Sequence, residues 1–568
     1  MSAENSPHIW VFREGRRATQ GRALLDGLAS ALRALSSNST RDALVDALLR
    51  AGELECALED AAWPGAARVA RITDLLAAAL AGAPDNALLP RTQELLEQVS
   101  TPQSVDVATP EGFVYYALHP MDFARVMERA GASSGAVAVI GIRSIGTTLS
   151  AVVAAAAVQC GLRATRTTVR PTGHPYDRRT CFAASQLRWI ASCRAAQAQF
   201  FVVDEGPGLS GSSFLSVADA LLEAGVERRQ ITFLCSREPN PDALVAPDAA
   251  ARWRSFRVLA TQTTHVPPEA VEPLGGGEWR RNFYAGESLW PASWTQMERL
   301  KFASRDRRRW YKFEGHGHFG QAVSERSRLL GEAGFSPKLL GRRDGFGEYA
   351  LVQGRAMSVA DLSSELLERI ADYCALRAVE FSCRTPETQL RSMVGFNLRE
   401  QLGIETENGL DELSGGRPVI TDNRMLPHEW MIGTSGALLK TDAASHGDDH
   451  FFPGPVDIAW DLAGAIVEWE MSSDAAQFLM DRFRRRSGDD ARKRLPAYVL
   501  GYSVFRMAYC SMAAFAMRGT AEEIRLRRAA QRYRAQAEAQ AKTRLSCTLQ
   551  ASVQERERPV SLQSSAQV

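Results

Sequence analysis

"FVVDEGPGLSGSS", residues 201–213, runs from bulky apolar residues into two adjacent acids and then into a bend of Gly, Pro and Ser. The apolar run reads as a buried strand that places Asp204 and Glu205 at its tip. The bend offers backbone N–H groups from Gly208 to Ser213, just before a helix beginning near Phe214. Gly208 and Gly211 allow a ligand close to the backbone, the hydroxyls of Ser210, Ser212 and Ser213 can donate, and a helix N-terminus favours negative charge. Such a bend suits a phosphate monoester, with the two carboxylates on vicinal sugar hydroxyls.

Working outward, strand-like and helix-like runs alternate. "GAVAVIGI", "AQFFVVDE" and "ITFLCS" read as strands, with "TTLSAVVAAAAVQCGL" and "SFLSVADALLEAGV" as helices between and after them. That order predicts a doubly wound parallel sheet. Ligands in such sheets bind beyond the carboxyl ends of the strands, where both "RSIGTT" and "DEGPGLSGSS" fall. This region, about residues 105–265, resembles the type I phosphoribosyltransferases. The resemblance implies that Asp204 and Glu205 are the ribose-binding acids and that Ser210, Gly211, Ser212 and Ser213 form the phosphate turn. It makes Arg143, Ser144 and Gly146 the pyrophosphate loop, acting directly or through Mg²⁺. The polar "TTVRPTGHPYDRR" then corresponds to the mobile hood, with Arg170, His174 and Arg179 as candidates to meet the leaving group. Ser stands where that family usually has Thr, and the loop is one residue longer.

The second half carries a different pattern. "RRWYKFEGHGHFGQAVSERSRLLGEAGF" puts Lys312 on a strand and Glu325 in the following helix, and "GEYALVQGR" reads as a strand leading into a hinge. Residues 289–519 resemble kinase-like folds of the aminoglycoside and choline phosphotransferase type. The resemblance implies that Lys312 contacts ATP phosphates and pairs with Glu325, that Asp422 is catalytic and that Asp442 binds metal. The helix in "DIAWDLAGA" would begin at Asp457 or Asp461. The expected His-x-Asp is Ile-Thr-Asp here, and His428 or Glu429 must replace the missing Asn ligand. The family's Gly-rich loop has no counterpart ahead of Lys312, and "EGHGHFG" follows it. His446, Asp448, Asp449 and His450 in "HGDDHFF" suit a divalent metal site, a solvated loop or phosphate handling alike. Trp430, Trp460 and Trp469 read as core.

A chain of 568 residues needs several cores. The expected fold is multidomain, α/β plus α+β: a helical region at 1–104, the parallel-sheet domain, a Pro/Gly linker at 266–288, a bilobal kinase-like domain, and a basic helix with a disordered tail at 520–568. A net charge of +1 points away from nucleic acid and anionic membrane surfaces. Nine cysteines without a CxxC pair suit reduced thiols. With no apolar leader in "MSAENSPHIWVFREGRR", the expected location is cytoplasmic. The function read from these patterns is Mg²⁺-dependent phosphoribosyl transfer from phosphoribosyl pyrophosphate, joined to an ATP-dependent small-molecule kinase. The alternative is a non-catalytic sensor of phosphoribosyl pyrophosphate or nucleotide with a degenerate kinase domain.

Overall fold

The structure, a computed structural model, describes residues 8–556 apart from 14, 38–39, 84–86, 131–134 and 406–409. Side chains beyond 543 also lie outside the described set, so Cys547 and the tail expected at the C-terminus are not addressed. The other eight cysteines are free thiols.

A short strand β1 (Arg16–Gln20) leads into four helices, α1 (Gly21–Ser37), α2 (Arg41–Asp60), α3 (Ala66–Leu80) and α4 (Leu88–Glu97), before β2 (Ser104–Ala108) returns antiparallel to β1. The Ala/Leu spacing read as helical is therefore helical. The segment before β1 does something the sequence did not announce. Val11 is fully buried in the core of the second half, and the Asn397 side chain bonds both the N–H and the C=O of Trp10.

Next come α5 (Glu111–Val114), α6 (Pro120–Arg129), β3 (Ala136–Ile142), α7 (Ile145–Gln159) and β4 (Arg163–Val169). A hairpin, β5 (Thr172–His174) and β6 (Asp177–Arg179), precedes α8 (Ala184–Ala195), β7 (Gln199–Val203), α9 (Ser212–Glu223), β8 (Ile231–Cys235), α10 (Ala249–Arg254) and β9 (Arg257–Ala260). Five strands form one parallel sheet in the order β4-β3-β7-β8-β9. Alternate residues serve opposite faces, as strand geometry requires. Val137, Val139, Phe201 and Val203 face the core shared with α1–α3, α6 and α7, whereas Ala138, Ile140, Phe200 and Val202 face α9 and α10. The strand order reverses between β3 and β7, so the loops leaving these two strands flank the crevice that such sheets open.

Residues 266–288, expected to be a linker, are not one. β10 (Ala270–Pro273) is the edge strand of a second, antiparallel sheet in the order β10-β11-β12-β14-β13. The sheet continues after α11 (Arg280–Phe283) with β11 (Lys301–Ser304), β12 (Arg309–Phe313), α12 (Gly317–Glu332), β13 (Leu339–Arg343) and β14 (Phe346–Ala350). Gly275, Gly276 and Gly277 sit in the β10–β11 connection. The density of Pro and Gly around 266–277 hid a four-residue strand, too short for alternation to register.

The body below contains β15 (Gly354–Ala356), α13 (Ser364–Glu380), α14 (Leu390–Asn397), β16 (Val419–Ile420), β17 (Trp430–Gly433), β18 (Leu438–Lys440) and β19 (Pro455–Val456). It ends in α15 (Ala459–Glu468), α16 (Ser473–Ser487), α17 (Leu495–Ala516) and α18 (Ala521–Arg556). Trp430, Trp460 and Trp469 are fully buried in its core. Among the described residues, α17 alone is long and apolar enough to cross a membrane, and 78% of its apolar window is buried inside the molecule. α18 is not merely solvated, because Leu526, Tyr533, Ala537 and Ala541 bury one face.

Two glycines make a contrasting pair. A Cβ on Gly146 would lie 2.5 Å from the Val203 carbonyl, so α7 seats on β7 only through that glycine. Gly395 lies within α14 and a Cβ there would meet nothing within 4 Å. Gly146→Ala is expected to destabilise by roughly 1–3 kcal/mol, and Gly395→Ala to stabilise by up to about 1 kcal/mol. Denaturant unfolding of the two variants beside the parent chain checks both signs.

Candidate functional site

The β3 and β7 loops lie side by side, as their strands dictate, but their chemistry is turned inward. Arg143 donates to the Glu59 carboxylate at 2.8 Å and to Asp60 at 3.2 Å, both at the C-terminal end of α2. Arg170 donates from Nε to Asp60 at 3.1 Å and from Nη1 to the Arg143 carbonyl. These guanidiniums, expected to meet pyrophosphate, are instead neutralised by a helix of the N-terminal region. Ser144, between them and Gly146, has φ of 115°, a strained value for a residue with a Cβ.

The acid pair is equally engaged. Glu205 accepts from the Gly112 N–H at 2.8 Å, and Asp204 accepts from the N–H of Glu205 itself. Burial raises Glu205 to about 8, with Glu111 and Asp204 adding to the rise. Asp204 is raised to about 7, again chiefly by burial. Ser210 and Ser212 both donate to the Pro175 carbonyl on the hairpin, and the Ser212 amide donates to the Ser210 hydroxyl. Gly208 and Gly211 hold positive φ of 59° and 73°, and Ser213 lies in the first turn of α9. His174 and Arg179 stand exposed on the hairpin. The crevice as folded is therefore satisfied by the chain's own groups.

The second constellation gathers where the antiparallel sheet meets the helical body. Lys312 and Lys301 are directly opposite each other across β12 and β11, and both ammoniums reach Asp442, Lys301 at 2.5 Å. Lys312 also donates to Ser445. It does not meet Glu325. In α12 the inward stripe is Val323, Arg326, Ser327 and Leu330, and the 100° step of the helix leaves Glu325 exposed beside Gln321. Arg326 pairs with Asp448 instead. Glu314, just past the end of β12 and buried, feels the Lys312 charge and accepts from Tyr349.

Asp422 has no exposed surface. Lys440 lies 3.3 Å from its carboxylate and 2.8 Å from that of Glu429. Tyr373 donates to Asp422, and His446 lies between Asp422 at 3.6 Å and Asp442 at 3.5 Å. Burial works to raise Asp422, but Lys440, then His446 and Arg377, hold it well below the carboxylate range. Burial pushes His446 down to about 3, so the ring is neutral at pH 7. Of the two helix-start candidates, Asp457 stands just ahead of α15 and accepts the Ala459 N–H at 2.8 Å, whereas Asp461, inside the first turn, accepts the backbone N–H groups of Asp422 and Asn423 at 2.8 and 3.0 Å. Asp457 pairs with Arg494.

Asp422, Glu429 and His446 offer ligand atoms all within 4.8 Å of one another. His428 does not join them, because it stacks on Trp279 with centroids 5.4 Å apart. The rest of "HGDDHFF" is no metal cluster either: Asp449 takes His450 at 3.0 Å and Arg424 at 3.5 Å. Lys301, Lys440, Tyr373 and Arg377 were missed in the sequence. Lys440, two positions before Asp442, carried the one local hint.

A cavity of about 600 Å³ opens on this cluster. Leu274, Trp310, Leu351, Met357 and Met431 line the end under the sheet, and Lys301, Asp442 and Glu429 line the middle. Asp422 lies behind that wall, so the carboxylates exposed to a ligand beside the lysines are Asp442 and Glu429. The five-stranded antiparallel sheet with its covering helix α12, strand β15 and the helical body together enclose the cavity.

No family model and no curated protein matches the chain. Among solved structures, a choline kinase from Streptococcus pneumoniae matches with a TM-score of 0.31 and 12% identity over 42% of this chain and 89% of that one. A choline/ethanolamine kinase family protein from Mesorhizobium loti matches with a TM-score of 0.31 and 15% identity over 47% and 97%. An aminoglycoside 2′-phosphotransferase-IIIa matches with a TM-score of 0.29 and 10% identity over 43% and 89%. Scores of this size assign no residue a role, and the roles below rest on the geometry just described.

The buried Glu205 has a consequence for stability. Because its folded value lies above its ordinary one, its contribution is complete at low pH and is lost as pH rises through about 8. Glu205→Gln keeps an acceptor for Gly112 and removes the titration. Thermal midpoints measured between about pH 6 and pH 9 should fall more steeply for the parent chain than for the variant. Equal slopes would contradict the assignment.

Proposed function

We propose that the second half of the chain is an ATP-dependent small-molecule phosphotransferase. The observation that carries this reading is the convergence of Lys301 and the buried Lys312 on Asp442, which together with Lys301 and Glu429 lines one cavity. The cluster balances three carboxylates (Asp422, Glu429, Asp442) with three ammoniums (Lys301, Lys312, Lys440). The two lysines on Asp442 would move to the phosphate oxygens of ATP as Mg²⁺ takes their place on that carboxylate.

In the proposed reaction the bond from the γ-phosphorus to the β,γ-bridging oxygen breaks, and a bond from that phosphorus to an acceptor hydroxyl oxygen forms. The hydroxyl proton passes to Glu429, the acid on the cavity wall, and ADP leaves. Asp422 is a positioning residue here. It fixes Lys440 against Glu429, and Asp461 fixes Asp422 by its backbone. Carboxylate oxygens at Asp442 and Glu429 are the hard donors Mg²⁺ prefers, and Asp442 would hold the ion. When bound, it would neutralise charge on the β- and γ-oxygens.

For the first half, the clamped arginines and enclosed acids favour the reading of a non-transferring site for phosphoribosyl pyrophosphate over a phosphoribosyltransferase. Asp60→Ala should tighten calorimetric binding of that compound by freeing Arg170, with no pyrophosphate released when bases are supplied. Pyrophosphate release with any base would restore the transferase reading.

The phosphotransferase is tested by ATP titration with MgCl₂ and by ADP release. Glu429→Gln should keep ATP affinity and lower turnover roughly 10²- to 10⁴-fold, the range for loss of a general base. Asp442→Ala should remove the Mg²⁺ dependence of ATP binding. Absence of ATP binding by the parent chain would overturn the reading.

A further inference from the structure

Beyond the lysines and Asp442, the cavity continues into a chamber that the phosphotransfer chemistry does not use. One wall is the long β10–β11 connection, which brings Trp279, Tyr284, Trp290 and Trp294 to the lining. The other wall is α17 and α18, with Arg506, Tyr509, Arg528, Arg532 and Tyr533. The connection is pinned there by an Arg280–Glu522 ion pair of 2.7 Å and by the Arg525 side chain on the Glu287 carbonyl.

The polar groups of this chamber do not balance. Glu298 is taken by the Gly277 amide, the Trp279 indole N–H and Ser293. Glu468 has no exposed surface and accepts from Tyr502, Tyr533 and Arg532. Neither of these carboxylates is left for a ligand. The buried groups without a hydrogen-bond partner are all donors: Nε1 of Trp290, Nε1 of Trp294 and Nε of Arg506, the last lying 3.4 Å from the Glu468 carboxylate. An indole N–H and a guanidinium N–H only donate, and buried polar atoms are normally satisfied. Arg506 and Arg532 share the single Glu468 carboxylate, and among the described residues Arg528 on the same wall has no ion-pair partner.

An ammonium group finds no free carboxylate there, and it finds no free face on Trp290 either. The guanidinium of Arg280 already lies 4.6 Å from that ring's centroid and that of Arg525 lies 5.5 Å away. Trp279 and Tyr284 lie 6.3 Å apart at 63°, and Trp294 meets Tyr509 at 5.4 Å, so the chamber has aromatic walls. Such walls favour a flat ring, and surplus donors beside guanidinium groups favour an anion.

We propose that the acceptor is a small aromatic or heteroaromatic compound carrying a hydroxyl and one anionic group, carboxylate or phosphate, received by Arg506 and the indole N–H groups of Trp290 and Trp294. This rests on the phosphotransferase reading above. The anion anchors the ring between the tryptophans, and the hydroxyl at its far end is presented toward Glu429.

The test is a tryptophan-fluorescence and calorimetric titration of the full chain, with and without the non-hydrolysable AMP-PCP and MgCl₂. The probes are 4-hydroxybenzoate and uridine 5′-monophosphate as the two anionic arms, 4-hydroxybenzyl alcohol as a neutral ring, and choline as a cation. One or both anionic probes should bind, and the arm that binds identifies the anion. Arg506→Met should weaken that binding roughly tenfold to hundredfold, the loss of a charge-assisted hydrogen bond. Trp294→Phe keeps the ring and removes the N–H, so it should weaken the anionic probe while leaving 4-hydroxybenzyl alcohol unchanged. If AMP-PCP binds but choline is preferred, or neither anionic probe binds, the acceptor proposal falls and the phosphotransferase stands. If AMP-PCP itself does not bind, the phosphotransferase reading falls and takes the proposal with it.

Discussion

A carboxylate with no exposed surface must find compensating charge inside the protein, and at Asp422 that demand organises the second half of the molecule. Desolvating an unpaired carboxylate costs several kcal/mol even after relaxation. Lys440, Tyr373 and Arg377 are the compensation, and they come from two elements, β18 and α13. β18 must lie beside the loop for Lys440 to arrive, and α13 must cross behind it for Tyr373 and Arg377. Asp461, on α15, then fixes the loop's backbone. Arg377 lies 3.5 Å from Asp461, so the network closes on itself. Asp461 is raised to about 6 by burial despite that arginine.

Besides the N-terminal segment and the contacts of α2 with the start of α12, one short segment ties the two halves together. From α5 onward, Gly112 donates to Glu205 in the first crevice, and Phe113 accepts from the His316 amide at the start of α12. Val114 accepts from Arg299, and Tyr115 donates to the Asp448 carbonyl. Four consecutive residues, Gly112–Tyr115, therefore touch the acid after β7, the helix covering the antiparallel sheet, and the loop after Asp442. The reversed use of "HGDDHFF" follows from this. Its acids and second histidine are docking groups for α12, the N-terminal segment and α5, and His446 alone turns into the cluster.

Legibility differed sharply between the elements and the sites. The strand–helix alternation from Ala136 to Cys235, the helical Ala/Leu stretches and the buried tryptophans could be read because each signal repeats along a few adjacent residues. β10 was lost because four residues next to Pro and Gly carry no usable period. At the sites, Asp442, Lys312 and Glu429 were picked out by type and order along the chain. Glu325, His428, Arg143 and Arg170 were picked out in the same way but are committed elsewhere, to solvent, to Trp279 and to the end of α2.

Taken alone, the sequence settled where strands and helices alternate, which stretches are apolar enough for a core, and which acids and lysines stand near glycine-rich turns. Those properties depend on neighbours a few residues away, through side-chain periodicity and backbone freedom. Tertiary structure alone decided which charges face each other: Lys301 with Lys312 on Asp442, Lys440 between Asp422 and Glu429, Asp60 against Arg170. A buried charge is indifferent to the sequence distance of its partner and sensitive only to the few ångströms between them. Packing supplied that distance, and local pattern could not.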